Sequence, residues 1–258
     1  MRAFFQHFSH IGKALREFSG NSQFYQLSCF LLAISRLLQV VSFFLPLKIL
    51  IMLSSKQPPS YLEYLPIEIT YDTALTLLIL MVPTAYCGYM IAGVFHRFFI
   101  DRDLAKWKES GYKTTLINVK SKAKLVKLHA HLSKALSEII LVVMSLLLVL
   151  VIDFPMFVVV CIMLFLNLKV FVAKVFYKSD QGRVGVFRLH RRQYIEYFTS
   201  MNFVIVFMLL AAQVSYSYIG IFEALFVILL SRMMFQSMQR FSVENLYIVH
   251  HLGFEQKL

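Results

Sequence analysis

Two apolar runs stand back to back in the middle of the chain, and the pattern on either side is organised around them. Residues 136–152 (LSEIILVVMSLLLVLVI) and 154–171 (FPMFVVVCIMLFLNLKVF) are 17 and 18 residues long. At ~1.5 Å per residue each lies near the lower limit for crossing a hydrocarbon core of about 30 Å. Only Asp153 and the helix-breaking Phe154-Pro155 pair interrupt them, so the chain turns tightly and comes straight back. Dense basic segments lie beyond the far ends of both runs. A helical hairpin with its turn on one side of a membrane and its positive charge on the other sets the topology for the rest.

Four more runs fit spans at 24–53, 73–99, 197–216 and 221–236, and the fourth span reaches about residue 173. Residues 1–20 are amphipathic instead. Phe4, Phe8, Ile11, Leu15 and Phe18 recur at helical spacing on one face, which predicts an interfacial helix lying in the membrane surface. No apolar core of a cleavable leader is visible in that segment. Pro83 predicts a kink in the second span, and Gly88 and Gly93 allow a close helix contact there. Residues 237–258 read as a polar tail.

Charge then orients the bundle. With Arg97 and Arg232 counted in the flanks of their spans, Lys and Arg number 3, 1, 10, 0, 6, 0 and 3 in successive segments from the N-terminus, an alternation that follows the positive-inside rule throughout. Both termini are therefore expected in the cytoplasm. The turn loops are short and the cysteines follow no disulfide pattern, which suits a bacterial inner membrane. Composition agrees: 59% of the 258 residues are hydrophobic and 16% charged, against about 45–50% and 25% for soluble domains. The net charge of +12 would suggest nucleic acid in a soluble chain. Here it reads as loop charge that orients the protein and meets anionic lipid headgroups, with no nucleic-acid partner.

Candidate chemistry is sparse. The sole Gly-Lys pair, Gly12-Lys13, lacks the glycine required five positions earlier, so the usual phosphate-cradling loop is absent and no nucleotide site is expected in this chain. No HExxH, no GxSxG and no metal-spaced His/Cys set occurs. No catalytic residue, cofactor or metal is therefore predicted, and the chain is read as not an enzyme. Cys29, Cys87 and Cys161 each sit alone in separate spans and read as small buried hydrophobes. His129 and His131 read as solvated loop histidines. Asn167, Lys169 and Asn202 fall near the cytoplasmic boundary. Arg36, Gln39, Gln213 and Glu223 lie deeper or in the outer half, where polar groups are costly, and are candidates for a polar translocation path. Hydrogen bonding between helices is the competing reading of the same four.

The order of these elements resembles the transmembrane domain of ABC exporters of the six-helix, domain-swapped type. The resemblance rests on an interfacial elbow helix before a first span ending in FFLPLKILIML (43–53), the Ile152-Asp153-Phe154-Pro155 turn, and SYIGIFEALFVILLSRMM (217–234). It implies an all-α, ABC-exporter-like integral membrane bundle that works as a homodimer or paralogous heterodimer. It also implies coupling helices in the two cytoplasmic loops, near Trp107, Lys108, Gly111 and Tyr112 and near Asp180, Gly182, Arg183 and Gly185, which would dock an ATPase. The family usually fuses that ATPase after the sixth span, and here about twenty residues follow it. The implied function is a permease subunit of an exporter or flippase that depends on a separate nucleotide-binding ATPase, with ATP bound by that partner. The alternative is a non-transporting, exporter-like scaffold or accessory subunit of a larger envelope complex. A lipid-modifying intramembrane enzyme would need a converging site that the sequence does not supply.

Overall fold

The computed structural model describes residues 12, 23–55, 70–109, 122–176, 184, 188–216 and 220–252. The interfacial helix expected at 1–20 therefore lies, apart from Gly12, outside the described residues. Six helices form the fold: α1 (Gln23–Ser55), α2 (Tyr71–Glu109), α3 (Lys122–Ile152), α4 (Phe154–Val170), α5 (Arg191–Ser215) and α6 (Ile221–Leu252). All six, α4 together with the turn that continues it to Phe176, are long and apolar enough to cross a membrane. Their lipid-type composition, with large apolar side chains exposed along α1, α2 and α5, makes this an integral membrane protein. Among the described residues there is no strand beyond the isolated bridge between Val184 and Leu189.

The helices overrun their predicted spans mainly at the basic end, opposite the hairpin turns. α2 passes through Pro83 and runs on to Glu109, α3 starts at Lys122, and α6 continues to Leu252 through what reads in sequence as a tail. Polar residues propagate these helices beyond the lipid because the buried stripe continues: Leu125, Leu128 and Leu132 of α3 close on Tyr25, Trp107, Phe241 and Ile248. The bundle therefore has a second, protein-enclosed core at its basic end.

The hairpin between α3 and α4 is as tight as the sequence demands. Asp153 alone separates the helices, and its Oδ1 accepts from the Met156 backbone N–H at 3.3 Å. It is an N-cap that satisfies an otherwise orphaned donor, while Pro155 sits in the first turn, where its missing N–H costs nothing. At the other end α4 widens into a π-helical turn, Phe171–Phe176. Phe171, Val175 and Phe176 pack there against Val184, Ile195 and Val249.

α1 and α2 form an intimate antiparallel pair. A Cβ on Gly88 would stand 3.2 Å from Leu38 Cδ1, and one on Gly93 would stand 3.5 Å from Ser35 Oγ. The glycines let the backbones approach, and short polar links use the space. Ser35 Oγ donates to Tyr89 O at 3.0 Å, and Ser28 Oγ meets His96 Nδ1 at 2.8 Å. α6 is the axial helix of the rest. Val227, Leu230 and Met234 pack into one core with Leu141 and Val149 of α3, Val160 and Leu164 of α4, and Val206 and Leu210 of α5. α4 and α5 thus lie on α6 of their own chain.

Candidate functional site

A carboxylate within an apolar run needs a counter-charge, because an isolated buried ion is far too costly to keep. Glu138 stands fourteen residues before the end of α3, about 21 Å along the axis, and its side chain is 1% exposed. Two arginines from different helices converge on it. Arg36 of α1 donates through Nη1 to Oε1, and Arg240 of α6 donates through Nε to the same oxygen at 2.9 Å. Arg240 also reaches Ser237 Oγ at 3.3 Å. The other carboxylate oxygen, Oε2, is buried without a hydrogen-bond partner among the described residues. One carboxylate between two guanidiniums ties α1, α3 and α6 together and leaves one positive charge uncompensated.

That charge belongs to a longer feature on α6. Arg232, Gln236 and Arg240 recur every fourth residue and are exposed, whereas Met233, Met234, Phe235, Ser237 and Phe241 between them are buried. The most enclosed helix of the bundle thus turns its one open stripe outward with arginines on it. Arg232 stands eleven residues after Ile221, about 16 Å into the helix and so near mid-membrane. A guanidinium facing acyl chains at that depth costs at least ~2.5–3.5 kcal/mol, and Arg232 has no ion-pair partner among the described residues. The physical requirement is a polar surround for this face of α6.

Of the four path residues expected from sequence, Arg36 lies in the charged centre. Gln39 is exposed on α1, one turn beyond Arg36. α1 and α6 run antiparallel with Phe44 against Phe226, ring centroids 4.7 Å apart. Counting from that contact puts Gln39 and Arg232 at the same depth. Gln213 and Glu223 lie at the turn end instead. Gln213 Nε2 donates to Asp153 Oδ2 at 2.9 Å, which braces the α3–α4 turn against α5. Glu223, in the first turn of α6, acts electrostatically on Lys48 of α1. The four therefore divide into an inner pair at the depth of the α6 stripe and an outer pair at the turns.

Among the residues expected at the docking loops, Gly111, Tyr112, Asp180, Gly182, Arg183 and Gly185 lie outside the described residues. Lys108 is exposed at the end of α2. Trp107 is buried, stacked on His129 with ring centroids 5.9 Å apart.

The reading of His129 and His131 as solvated loop residues is corrected. His129 is 1% exposed, and its Nε2 meets Asp103 Oδ2 at 3.0 Å, with the Tyr25 ring at 5.0 Å. His131 Nδ1 meets Glu244 Oε2 at 2.5 Å and stacks on Tyr247. These pairs join α2 to α3 and α3 to α6. The physical reason is that α3 begins at Lys122, well before the 136–152 run, so both histidines stand inside a packed helix. Asn167 and Asn202, expected at a boundary, are also buried, each with its Nδ2 unpartnered among the described residues.

Glu138, Arg232 and Arg240 are the residues that sequence reasoning missed as a site. A usable signal existed for Glu138, the lone carboxylate of the third apolar run, in a chain whose first span carries an arginine. Among the described residues no group of three His, Cys, Asp or Glu side chains is placed to hold a metal. No protein-family model, curated protein or solved structure matches the chain.

Proposed function

We propose that the chain is the permease subunit of an export or flipping machine, forming a polar path with a second copy or a paralogue and driven by a separate ATPase. The observation that carries this reading is the exposed stripe of α6 that holds Arg232 at hydrocarbon depth and continues through Gln236 to Arg240 at the basic end. A helix that only holds a bundle together has no use for an unneutralised guanidinium such as that of Arg232 there, whereas a conduit for a polar or charged group has one. Arg36 of α1 meets the stripe at Arg240 through their shared carboxylate Glu138, and Gln39 lies at the depth of Arg232. Glu138, by fixing Arg36 and Arg240 from behind, holds their donors in place without competing for the open side. Exposed Arg102, Lys106 and Lys108 of α2 and Lys122, Lys124 and Lys127 of α3 offer positive charge at one end of the bundle, suited to an acidic partner face. That end is the cytoplasmic one in this reading, in a bacterial inner membrane.

One observation favours the second reading, a non-transporting scaffold. α4 and α5 pack on α6 of the same chain through Val160, Leu164, Val206 and Leu210, so the bundle closes on itself instead of holding these helices free for a partner.

The test is recovery of the tagged full-length protein from native membranes in mild detergent, with all partners identified by mass spectrometry. A nucleotide-binding ATPase in stoichiometric amount is the expected result. Recovery of the chain alone, or with envelope components that bind no nucleotide, would favour the scaffold.

A further inference from the structure

We propose that the open face of α6 binds the phosphate-bearing headgroup of an anionic lipid-type amphiphile, held between Arg232 and Arg240 with its acyl chains along the apolar remainder of that face. The proposal rests on the reading of this face as the path and names what occupies it.

Three properties select this occupant. The first is charge: of Arg36, Arg232 and Arg240, the first and last share a single carboxylate oxygen of Glu138, and Arg232 has no ion-pair partner among the described residues. An occupant with one or two negative charges neutralises the face, and a zwitterion does so less well. Guanidiniums suit phosphate in particular, because their planar donors match its oxygens in pairs. Gln236 between them adds an amide donor one turn from each arginine, and the two arginines stand about 12 Å apart along the axis.

The second is the apolar continuation. Towards the turn end the same helical stripe carries Leu225 and Leu229, both partly exposed, and then exposed Ile221. A small inorganic anion makes no use of these side chains, whereas an amphiphile covers them. The third is position. Arg240, nineteen residues from Ile221 and so about 28 Å along α6, reaches the level of the headgroups at the basic end, while Arg232 stands near the bilayer centre. A lipid can therefore enter at Arg240 from one leaflet and find its next charged contact at mid-membrane. A second copy of the chain is a poorer cover for this stripe. A twofold interface would bring the arginine-bearing face against its own image, with like charges opposed.

The experiment uses the purified full-length protein, delipidated in a neutral detergent, with dioleoyl phosphatidylglycerol as probe. Bound lipid is counted by native mass spectrometry and thermal stability is read in parallel. Dioleoyl phosphatidylcholine and inorganic phosphate serve as comparators. One phosphatidylglycerol per chain and a raised Tm are expected, with little effect of either comparator. Because Arg232 makes no hydrogen bond or ion pair among the described residues, Arg232→Gln should keep the lipid-free Tm. It should weaken phosphatidylglycerol binding about tenfold, as loss of one charge-assisted hydrogen bond predicts. Equal retention by Arg232→Gln and the unaltered protein would overturn the proposal. So would stabilisation by phosphate equal to that by lipid, or a dimer whose interface covers residue 232. No ATPase enters this measurement. A failed partner search therefore leaves the lipid site standing, and a failed lipid test leaves the ATPase question open to its own experiment.

Discussion

Arg240 Nε and Glu138 Oε1 meet at 2.9 Å between α6 and α3, and Arg36 of α1 donates to the same oxygen. Three helices from distant parts of the chain thus share one carboxylate oxygen at the inner margin of the apolar bundle. Removing the carboxylate leaves two guanidiniums facing each other with nothing between them. Glu138→Ala is therefore expected to destabilise the protein, by less than the ~3–5 kcal/mol of a fully buried pair, because the Arg36 and Arg240 side chains left behind stay partly solvated. Thermal unfolding in detergent reads this. The double variant Glu138→Ala with Arg36→Met should recover part of the loss, and strictly additive losses would show that the pair is not coupled.

A different junction holds the hairpin. Asp153 caps α4 through Oδ1 and takes the Gln213 amide on Oδ2. Asp153→Ala should cost about 1–2 kcal/mol for the cap alone. Gln213→Ala should cost less, and the two together less than their sum, because both remove the same Asp153–Gln213 bond. If Gln213→Ala instead abolished function at unchanged stability, its place in a path would outweigh its bracing role.

At the basic end, Trp107 and the Asp103–His129 pair fasten α2 to α3. Trp107→Ala should cost about 3–5 kcal/mol as a large-to-small change in a packed core. Hydrogen exchange should rise in both helices near residues 103 and 129 while the membrane half stays protected. A uniform rise along the whole chain would mean that the end is not a separate packing unit.

The α1–α2 contact makes a graded prediction at two glycines. Gly93→Ala should be nearly neutral, since its new Cβ would sit at an ordinary 3.5 Å from Ser35 Oγ. Gly88→Ile should cost about 1–3 kcal/mol by overpacking against Leu38. Tm values for the pair check the order, and the reverse order would contradict the close approach of the two helices at Gly88.

The spans are legible in sequence because mean composition over about twenty residues decides whether a segment belongs in lipid. The α3–α4 turn is legible because Asp-Phe-Pro allows almost nothing else. The cost of its charge directs Arg36 towards protein or water, but not towards a particular partner. Glu138 lies 102 positions away, and pairing across that distance depends on helix rotation. In sequence Arg232 reads with the basic flank, because it follows an apolar run. Its exposure on a buried helix emerges only when α3 and α5 take the other faces of α6. His129 is hidden for a related reason: a polar sequence beyond the lipid boundary gives no sign that it packs against Trp107 and Tyr25.

The most direct measurement is cysteine accessibility along α6, in a background with Cys29, Cys87 and Cys161 replaced. Single cysteines at 229 through 240 in native membranes are treated with a small charged thiol reagent. Labelling is expected at 232, 236 and 240, on one helical stripe, and none at the buried positions 233, 234 and 237. Protection of 232 and 236 that persists after delipidation in neutral detergent, with labelling confined to positions beyond the membrane, would mean that this face is closed in a dry protein interface, and the polar path would be lost with it.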